Sequence, residues 1–460
     1  MAISKARRIW GWMCFDWAQQ PFYTLGLTFI FGPYFTSVAT QKFVADGSAQ
    51  NVADAHAQSL WASGQTVAGL VIALSAPFLG AWADSSGRKM PWIAFFSIIY
   101  VICTSLLWGL TPDGATLTLV LVLFYVGFIA SESALNFTNA ILPSLGDDTE
   151  IGRISGSGSA FGYWGGVVSL FIMLLLLAEN DKGVTLLGIK PLFGLDPATR
   201  EGTRSVGPFI AIWYVVFMVP FFAWVKDGPR KARGSVGAAT AWRDLKATLV
   251  GVTKRRSLFW FLISSMLYRD ALNAVYAFGG VYAGLVLGWS IVQIGVFGIV
   301  AAIAAAIFTW AGGLMDQRLG PKPVITASVL ILTLVSIIIV GMSRTHLFVM
   351  PLPAGSSLPD IIFYICGAAI GGAGGSVYAA SRTMMVRHTH PDRPTEAFGL
   401  FALTGKATAF LAPFFITLFT WVTASNQLGF LPVIFLFLIG LWMLRWVNKD
   451  GDRAEWGALQ

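Results

Sequence analysis

Uninterrupted apolar runs of about 20 residues recur along almost the whole chain, and they restrict its fold more than any other feature. A helix needs about 20 apolar residues to span a bilayer core of roughly 30 Å. Of the 460 residues, 56% are hydrophobic and 12% are charged, a balance that water-facing globular surfaces do not have. Strands of a membrane barrel would instead show short alternating segments. We therefore predict an all-α integral membrane protein with 12 transmembrane helices. The predicted spans are residues 9–38, 59–83, 90–110, 116–142, 154–178, 208–225, 257–287, 290–315, 323–343, 359–386, 396–421 and 429–447.

Lysine and arginine are distributed unequally between the segments that connect these spans. If the N-terminus lies inside, most of them, beginning with Lys5, Arg7 and Arg8, fall on the cytoplasmic side. The positive-inside rule then places both termini in the cytoplasm. This distribution explains the net charge of +8 without nucleic-acid binding. The first span carries Asp16 and is too long for a signal peptide, so we expect it to remain uncleaved.

A basic segment divides the predicted spans into two groups of six. In residues 226–256, Trp242, Leu245, Leu249 and Val252 recur at helical spacing, which is typical of a helix on an anionic membrane surface. The predicted domains are an N-terminal six-helix bundle (1–225), a cytoplasmic linker (226–256) and a C-terminal six-helix bundle with a short tail (257–460).

The two halves repeat one loop pattern. Gly80-x-x-x-Asp84-x-x-Gly87-Arg88-Lys89 after the second span returns, with one residue inserted, as Gly312-x-x-x-Asp316-x-x-x-Gly320-x-Lys322 after the eighth. A shift of 254 residues also aligns Asp16 with Asp270. Repeated six-helix halves are the layout of transporters that rock one half against the other.

The first of these loops resembles the signature of the major facilitator superfamily. The resemblance implies that the loop latches the two halves in one state and releases them in the other. Physically, Asp84 can face the positive N-terminus of a neighbouring helix. The residues expected to act in gating are Gly80, Asp84, Gly87, Arg88, Lys89 and Asp316.

Four further segments are similar to the vacuole effluxer-like group of this superfamily, which contains fungal vacuolar amino-acid exporters and bacterial relatives. The segments are Phe15-Asp16-Trp17-Ala18; Gly152-Arg153-Ile154-Ser155-Gly156 with Gly162-Tyr163-Trp164-Gly165-Gly166; Tyr268-Arg269-Asp270 with Ala277-Phe278-Gly279-Gly280-Val281-Tyr282-Ala283; and Ala380-Ser381-Arg382 through Glu396-Ala397-Phe398-Gly399 to Gly405-Lys406-Ala407. The chain departs from the group at Arg269-Asp270-Ala271, where Asn-Asp-Gly is more frequent. The resemblance implies export of amino acids and, for a bacterial-type member, a location in the inner membrane.

Six ionisable residues lie inside predicted spans, where a charge at mid-bilayer costs roughly 2.5–3.5 kcal/mol. At helical spacing, they extend into polar stripes that we expect to line a central wet pocket. The predicted substrate-binding or proton-coupling residues are Asp16, Gln20, Glu132, Asn136, Arg269, Asp270, Asn273, Arg382 and Lys406.

Two roles are open for these charges. A carboxylate withdrawn from water can exchange a proton in each cycle, with Glu132 the first candidate and Asp16 and Asp270 next. The three bases, Arg269, Arg382 and Lys406, can hold a carboxylate or phosphate of the solute. Alternatively, three acids and three bases form permanent salt bridges that only fix the bundle.

The sequence contains no nucleotide-binding P-loop, no H-E-x-x-H and no Gly-x-Ser-x-Gly elbow, so ATP-driven transport and hydrolysis have no residue support. We predict a non-enzymatic secondary transporter without cofactor or metal, coupled to protons and moving a small polar solute. Its expected partners are that solute, protons and membrane lipids, and we expect a monomer. Two alternatives stay open: a translocator of lipids or other amphiphiles on the same fold, and a membrane sensor without transport.

Overall fold

The computed structural model describes residues 3–227, 242–243, 246, 250–289, 291–353, 355–409, 411–425 and 427–452. The predicted amphipathic linker helix falls largely outside these ranges, including Leu245 and Leu249, and it stays a prediction.

The predicted all-α class is confirmed, because almost every described element is helical. The α-helices are α1 (Lys5–Pro21), α2 (Phe31–Ala45), α3 (Gln50–Ser86), α4 (Met90–Leu106), α5 (Leu117–Asn139), α6 (Ile151–Ile172), α7 (Glu201–Arg204), α8 (Val206–Trp224), α9 (Arg256–Leu287), α10 (Ile291–Leu319), α11 (Pro321–Val340), α12 (Leu358–His388), α13 (Pro394–Ala407), α14 (Leu411–Thr423) and α15 (Leu431–Met443). A hairpin of β1 (His346–Leu347) and β2 (Met350–Pro351) lies between α11 and α12.

Ten helices in the described ranges are long and apolar enough to cross a membrane. The first and seventh predicted spans are not among them. The first is divided into α1 and α2, and α1 has only 17 residues. The seventh corresponds to α9, whose sequence carries Arg269 and Asp270 in its interior. The first exception therefore falls where polar residues and a helix break interrupt an otherwise apolar span.

Regular α-helical geometry is interrupted within two of the predicted spans, the first and the eleventh. After Pro21 the chain continues as a π-helix, Phe22–Phe29, and Ile30 leaves helical geometry before α2 begins. Helices α13 and α14 together cover the eleventh predicted span, but Ala407 ends the first and Leu411 begins the second. Breaks of this kind occur in transporter helices beside binding sites, where backbone groups are freed to bind partners.

The chain forms two compact units. One contains Met1–Ile72, Arg88–Thr138 and Phe161–Arg230; the other contains Ala73–Gly87, Asn139–Ala160 and Lys231–Gln460. The end of α3 and the start of α6 thus belong with the C-terminal helices. The predicted division into domains at 225/226 and 256/257 follows the chain order instead and stays a prediction.

Aromatic stacking and close helix contacts hold the first unit together. Phe124 stacks on Phe22 and Phe31, with ring centroids 5.0 and 5.4 Å apart. Helix α1 and the π-helical segment after it approach α6 at Gly162 and Gly166. An added Cβ there would lie 3.0 Å from the Asp16 carbonyl oxygen and 2.5 Å from Thr24 Oγ1, respectively. Small residues in α6 therefore set how close α1 can lie.

The second unit is built around α12, which packs on α10 and α11. At Gly371 an added Cβ would lie 2.0 Å from the carbonyl oxygen of Ala301 in α10. No side chain fits between the two backbones at this position, so the sequence requires glycine there.

Candidate functional site

The repeated loops of the two halves each place an aspartate against the start of another helix. Asp84, near the end of α3, accepts a hydrogen bond at 2.8 Å from the backbone N–H of Glu396 in the first turn of α13. The first N–H groups of a helix have no partner within it, and its dipole favours a negative charge there. Asp84 therefore acts as an N-terminal cap for α13.

Glycine brings α3 and α13 into this contact. An added Cβ at Gly80 would lie 2.5 Å from the carbonyl oxygen of Thr395, and one at Gly399 would lie 2.6 Å from that of Ala76. Both contacts are with backbone atoms, which a neighbouring rotamer change cannot relieve. The Gly80 and Asp84 positions of the first loop thus form one surface against α13.

The second loop makes an equivalent contact. Asp316, only 2% exposed, lies against the first turn of α6, and an added Cβ at Gly152 would lie 2.7 Å from its Cγ. One turn further along α6, an added Cβ at Gly156 would lie 2.4 Å from Gly313 Cα in α10. The sequence repeat therefore corresponds to a repeat of contacts: α3 with α13, and α10 with α6.

The remaining residues of the first loop form the turn into α4. Gly87 has φ +65°, a left-handed conformation that favours glycine, and Arg88 beside it is exposed. The backbone N–H of Lys89 donates to Asp227 Oδ1 at 2.9 Å. These residues fix the start of α4, and a role in gating stays a prediction for them.

Arg382, in α12, binds the segment around the start of α6. Its guanidinium donates to the Ser155 carbonyl at 2.7 Å, to Ser159 Oγ at 2.6 Å and to Asn139 Oδ1 at 3.2 Å. Ser155 Oγ in turn donates to the carbonyl of Ala379 at 2.8 Å. Arg382, which the sequence predicted to bind solute, is thus hydrogen-bonded to groups of the protein itself.

A polar cluster joins the end of α1 to α5 in the first unit. The Tyr23 hydroxyl, in the π-helical turn, donates to Glu132 Oε1 at 3.0 Å. Gln19, 3% exposed, donates through Nε2 to the carbonyl and hydroxyl of Ser131, at 2.9 and 2.7 Å. The same Nε2 lies 3.3 Å from Tyr23 Oη. We call these four residues, Gln19, Tyr23, Ser131 and Glu132, the tyrosine–glutamate cluster.

The other predicted residues of this unit lie on the same two helices as the cluster, α1 and α5. Asp16 and Gln20 are half-buried on α1, and Gln20 Cγ lies 2.9 Å from where a Cβ on Gly166 would be. Asn136, one turn beyond Glu132, is buried. The structure thus places Gln19 rather than Gln20 in contact with α5.

Arg269 is a buried cation in the middle of α9. Nη1 donates to the carbonyl of Phe401 at 2.9 Å, and the guanidinium lies over the rings of Phe401 and Tyr378, at 4.1 and 5.4 Å. Its Nε atom is buried without a hydrogen-bond partner in the described ranges, and no carboxylate there lies within 4.0 Å. A cation held by a carbonyl and ring faces retains capacity to bind an anion.

Asp270 faces the break between α13 and α14. Its Oδ2 accepts the backbone N–H of Ala412, the second residue of α14, at 2.9 Å. Lys406 lies half-buried at the other side of the break, near the end of α13, and Asn273 is half-buried one turn beyond Arg269. Arg269 and Asp270 therefore both contact the eleventh span, one through each of its two helices.

These placements bear on the salt-bridge alternative. Arg269 is held by a backbone carbonyl and two rings, and Asp270 by a backbone N–H group. No ion pair of either residue is found in the described part of the chain. The predicted convergence of all polar stripes on one chamber stays a prediction.

Sequence reasoning missed several partners of the predicted residues. Gln19 lies four residues before Tyr23, so the i, i+4 pattern could have found it. Ser155 and Ser159 share a face of α6 in the same way. Phe401 and Ala412 carry no such signal for their hydrogen bonds, because these bonds use backbone groups that any residue has.

The chain is similar to known membrane proteins over nearly its whole length. A family model described as vacuole effluxer Atg22 like matches residues 4–456. The uncharacterized MFS-type transporter YxiO of Bacillus subtilis (strain 168) is 23% identical over 448 residues, 95% of this chain and 94% of that protein. Autophagy-related protein 22-2 of Neosartorya fischeri is 25% identical over 321 residues, 66% of this chain. That match covers 50% of the fungal protein, so the chain spans about half of its length.

Solved structures share the fold. The proton:xylose symporter XylE of the major facilitator superfamily superposes with a TM-score of 0.67 at 12% identity, covering 98% of both chains. Identity this low shows the fold alone, and the predicted superfamily fold is confirmed. The family match, which covers nearly the whole chain, likewise confirms the resemblance to the vacuole effluxer-like group. The chain therefore belongs to the vacuole effluxer Atg22-like family, a group of multi-pass membrane transporters with the major facilitator fold.

Proposed function

We propose that this protein is a proton-coupled secondary transporter that exports a small polar solute with a carboxylate, amino acids being the first class to test. It works by alternating access, exposing its solute site first to one side of the membrane and then to the other. The membrane is a bacterial plasma membrane, and both termini lie in the cytoplasm. Family membership and the similarity to an MFS-type transporter support transport itself.

The hydrogen bond between Tyr23 and Glu132 carries the proton-coupling part of this proposal. A carboxylate inside a span is costly unless it serves a function or has partners. The Tyr23 phenol donates to Glu132, and if this carboxylate is ionised the bond is charge-assisted, roughly twice as strong as a bond between neutral groups. A proton on Glu132 removes the charge and weakens this bond.

The cluster links that proton to helix geometry. Tyr23 lies in the π-helical turn, and its hydroxyl is also within reach of Gln19, which binds α5 through Ser131. Release of Tyr23 from Glu132 therefore loosens a contact between the broken first span and α5. In this proposal, protonation and helix rearrangement are coupled through the four residues of the tyrosine–glutamate cluster.

The solute site is supported by Arg269. A carboxylate brought to this guanidinium would form charge-assisted hydrogen bonds that are stronger than the bond to the Phe401 carbonyl. Arginine also binds carboxylates in a bidentate, planar geometry that lysine does not offer. Because Phe401 belongs to α13, binding at Arg269 would reach the same helix whose start Asp84 caps.

Proteoliposomes test this function directly. We expect that purified protein, reconstituted with a pH dye inside, moves protons when a zwitterionic amino acid is added but not when a neutral sugar is added. If no amino acid of a test panel caused proton movement, the proposed class of solute would be contradicted. Translocation of a fluorescent phospholipid, without any amino-acid flux, would favour the amphiphile alternative.

Arg269→Gln should weaken solute binding by about 10- to 150-fold. Hydrogen bonds to charged groups contribute about 1.5–3 kcal/mol, and each 1.4 kcal/mol changes affinity tenfold. A scintillation proximity binding assay measures the change. The matched control ligand is the amine analogue of the solute, which lacks the carboxylate. We expect the unchanged protein and the Arg269→Gln variant to bind this amine with similar affinity. Equal weakening for amino acid and amine would show that Arg269 supports the fold rather than the carboxylate.

A further inference from the structure

An open groove lies beside the last residues of the second unit, away from the polar clusters described above. It has a volume of about 670 Å³ and lies between the end of α10, the first turns of α11 and the segment after α15. Most of its walls are apolar: Leu319, Pro323, Ala327, Leu330 and Val447. In a membrane protein, an apolar groove at the surface contacts lipid.

One end of this groove is basic. Lys322 and Lys449 line it, and Arg318 and Arg445 are exposed close by in sequence. Lys322 Nζ donates to the carbonyl of Val447 at 2.7 Å, so it stays at the groove. The neighbouring acid, Asp450, lies 3.8 Å from Arg387 and is partly balanced by it.

The other end of the groove follows α11 into the apolar part of the span. The axis from Lys322 to Leu330 covers about 12 Å of helix at about 1.5 Å per residue. Leu319 and Leu330 are 60% and 49% exposed, as expected of side chains that face acyl chains. The groove therefore has exposed leucines along α11 and the end of α10, and two lysines beside them.

We propose that this groove binds one anionic phospholipid of the cytoplasmic leaflet, with its phosphate between Lys322 and Lys449 and an acyl chain along α11. Basic pockets on the cytoplasmic side of membrane helices bind anionic headgroups, and that leaflet supplies them. A free phosphate would use the two lysines but leave the apolar walls empty. The bound lipid links the start of α11 to the segment after α15, and this proposal is independent of which solute is transported.

Native mass spectrometry of the full-length protein tests the site. The probes are phosphatidylglycerol, phosphatidylcholine with the same acyl chains, and inorganic phosphate. We expect one phosphatidylglycerol to be retained in preference to phosphatidylcholine, and phosphate alone to be lost. Lys449→Ala should weaken phosphatidylglycerol binding about five-fold, the effect of removing one surface lysine.

A second variant tests the apolar wall without changing charge. Ala327 is exposed, so Ala327→Trp should fold and fill the groove, removing the bound lipid. Lys254→Ala is the matched control, because Lys254 is an exposed lysine outside the groove and its loss should leave binding unchanged. Any of four results would overturn the proposal. The protein could retain both lipids equally, or retain phosphate as strongly as lipid. The two groove variants could bind lipid as the unchanged protein does, or the Lys254→Ala control could be as impaired as Lys449→Ala.

Discussion

Glu132→Gln is expected to lose all solute movement driven by a pH gradient, down to the level of protein-free liposomes. Glutamine keeps the size of the side chain and resembles the protonated acid, but it cannot release a proton. The variant should therefore still exchange internal for external solute when both sides have the same pH. Paired measurements of gradient-driven uptake and of exchange in proteoliposomes separate the two activities.

Tyr23→Phe is the control for this experiment. It removes the phenol that donates to Glu132 but leaves the titratable carboxylate, so gradient-driven movement should persist at a lower rate. If Glu132→Gln kept gradient-driven transport, the proton would have to bind elsewhere, and Asp16 and Asp270 would be the next residues to change.

Gly313→Val is expected to slow transport strongly through packing alone. A Cβ at Gly313 would lie 2.7 Å from Gly156 Cα, so valine forces α10 and α6 apart. Over-packing typically costs about 1–3 kcal/mol, which shifts the population of the state with these helices in contact by roughly 5- to 150-fold. In the proposed alternating-access cycle, the contact between α10 and α6 forms once in every cycle. Fewer molecules in the contact state therefore mean slower transport.

Cysteine labelling reports on the same contact. Ser155 is fully buried in α6, so a Ser155→Cys variant without the three native cysteines should react slowly with a water-soluble maleimide. Adding Gly313→Val should accelerate labelling. Gly295→Val is the matched control, because an added Cβ on that glycine of α10 meets nothing within 4 Å. Labelling that stays slow in Gly313→Val would show that the helices accommodate the valine without separating.

Hydrophobic length and charge predicted most of the membrane-spanning architecture. Lipid leaves a chain few alternatives to apolar helices, so runs such as 323–343 correspond closely to helices such as Pro321–Val340. The repeated loop also indicated where α3 and α10 end, because glycine and aspartate are required by contacts that recur in both places.

Helix breaks were harder to predict. Pro21 is the last residue of α1 and the π-helical turn follows it; proline lacks the N–H that would continue the α-helix. Pro413 instead lies in the first turn of α14, where that N–H would have no helical partner, and the break comes before it. Its position depends on Asp270, a residue far away in sequence that caps α14.

Partners of the charged residues depend on packing between distant segments. Arg269 was predicted to bind solute from its charge alone, but its contacts are a carbonyl and two rings. Arg382 shows more clearly why sequence alone cannot identify these partners. It binds Ser155 and Ser159 because α12 contacts α6. The i, i+4 spacing places the two serines on one face of α6, but no local pattern shows that this face contacts α12.

Infrared difference spectroscopy of the reconstituted protein tests most directly whether Glu132 exchanges the coupled proton. Solute binding at constant pH should change the carbonyl band of one protonated carboxylic acid, and this change should be absent from Glu132→Gln and present in Tyr23→Phe. A spectrum in which solute produces the same carboxylic-acid band with and without Glu132 would contradict the mechanism.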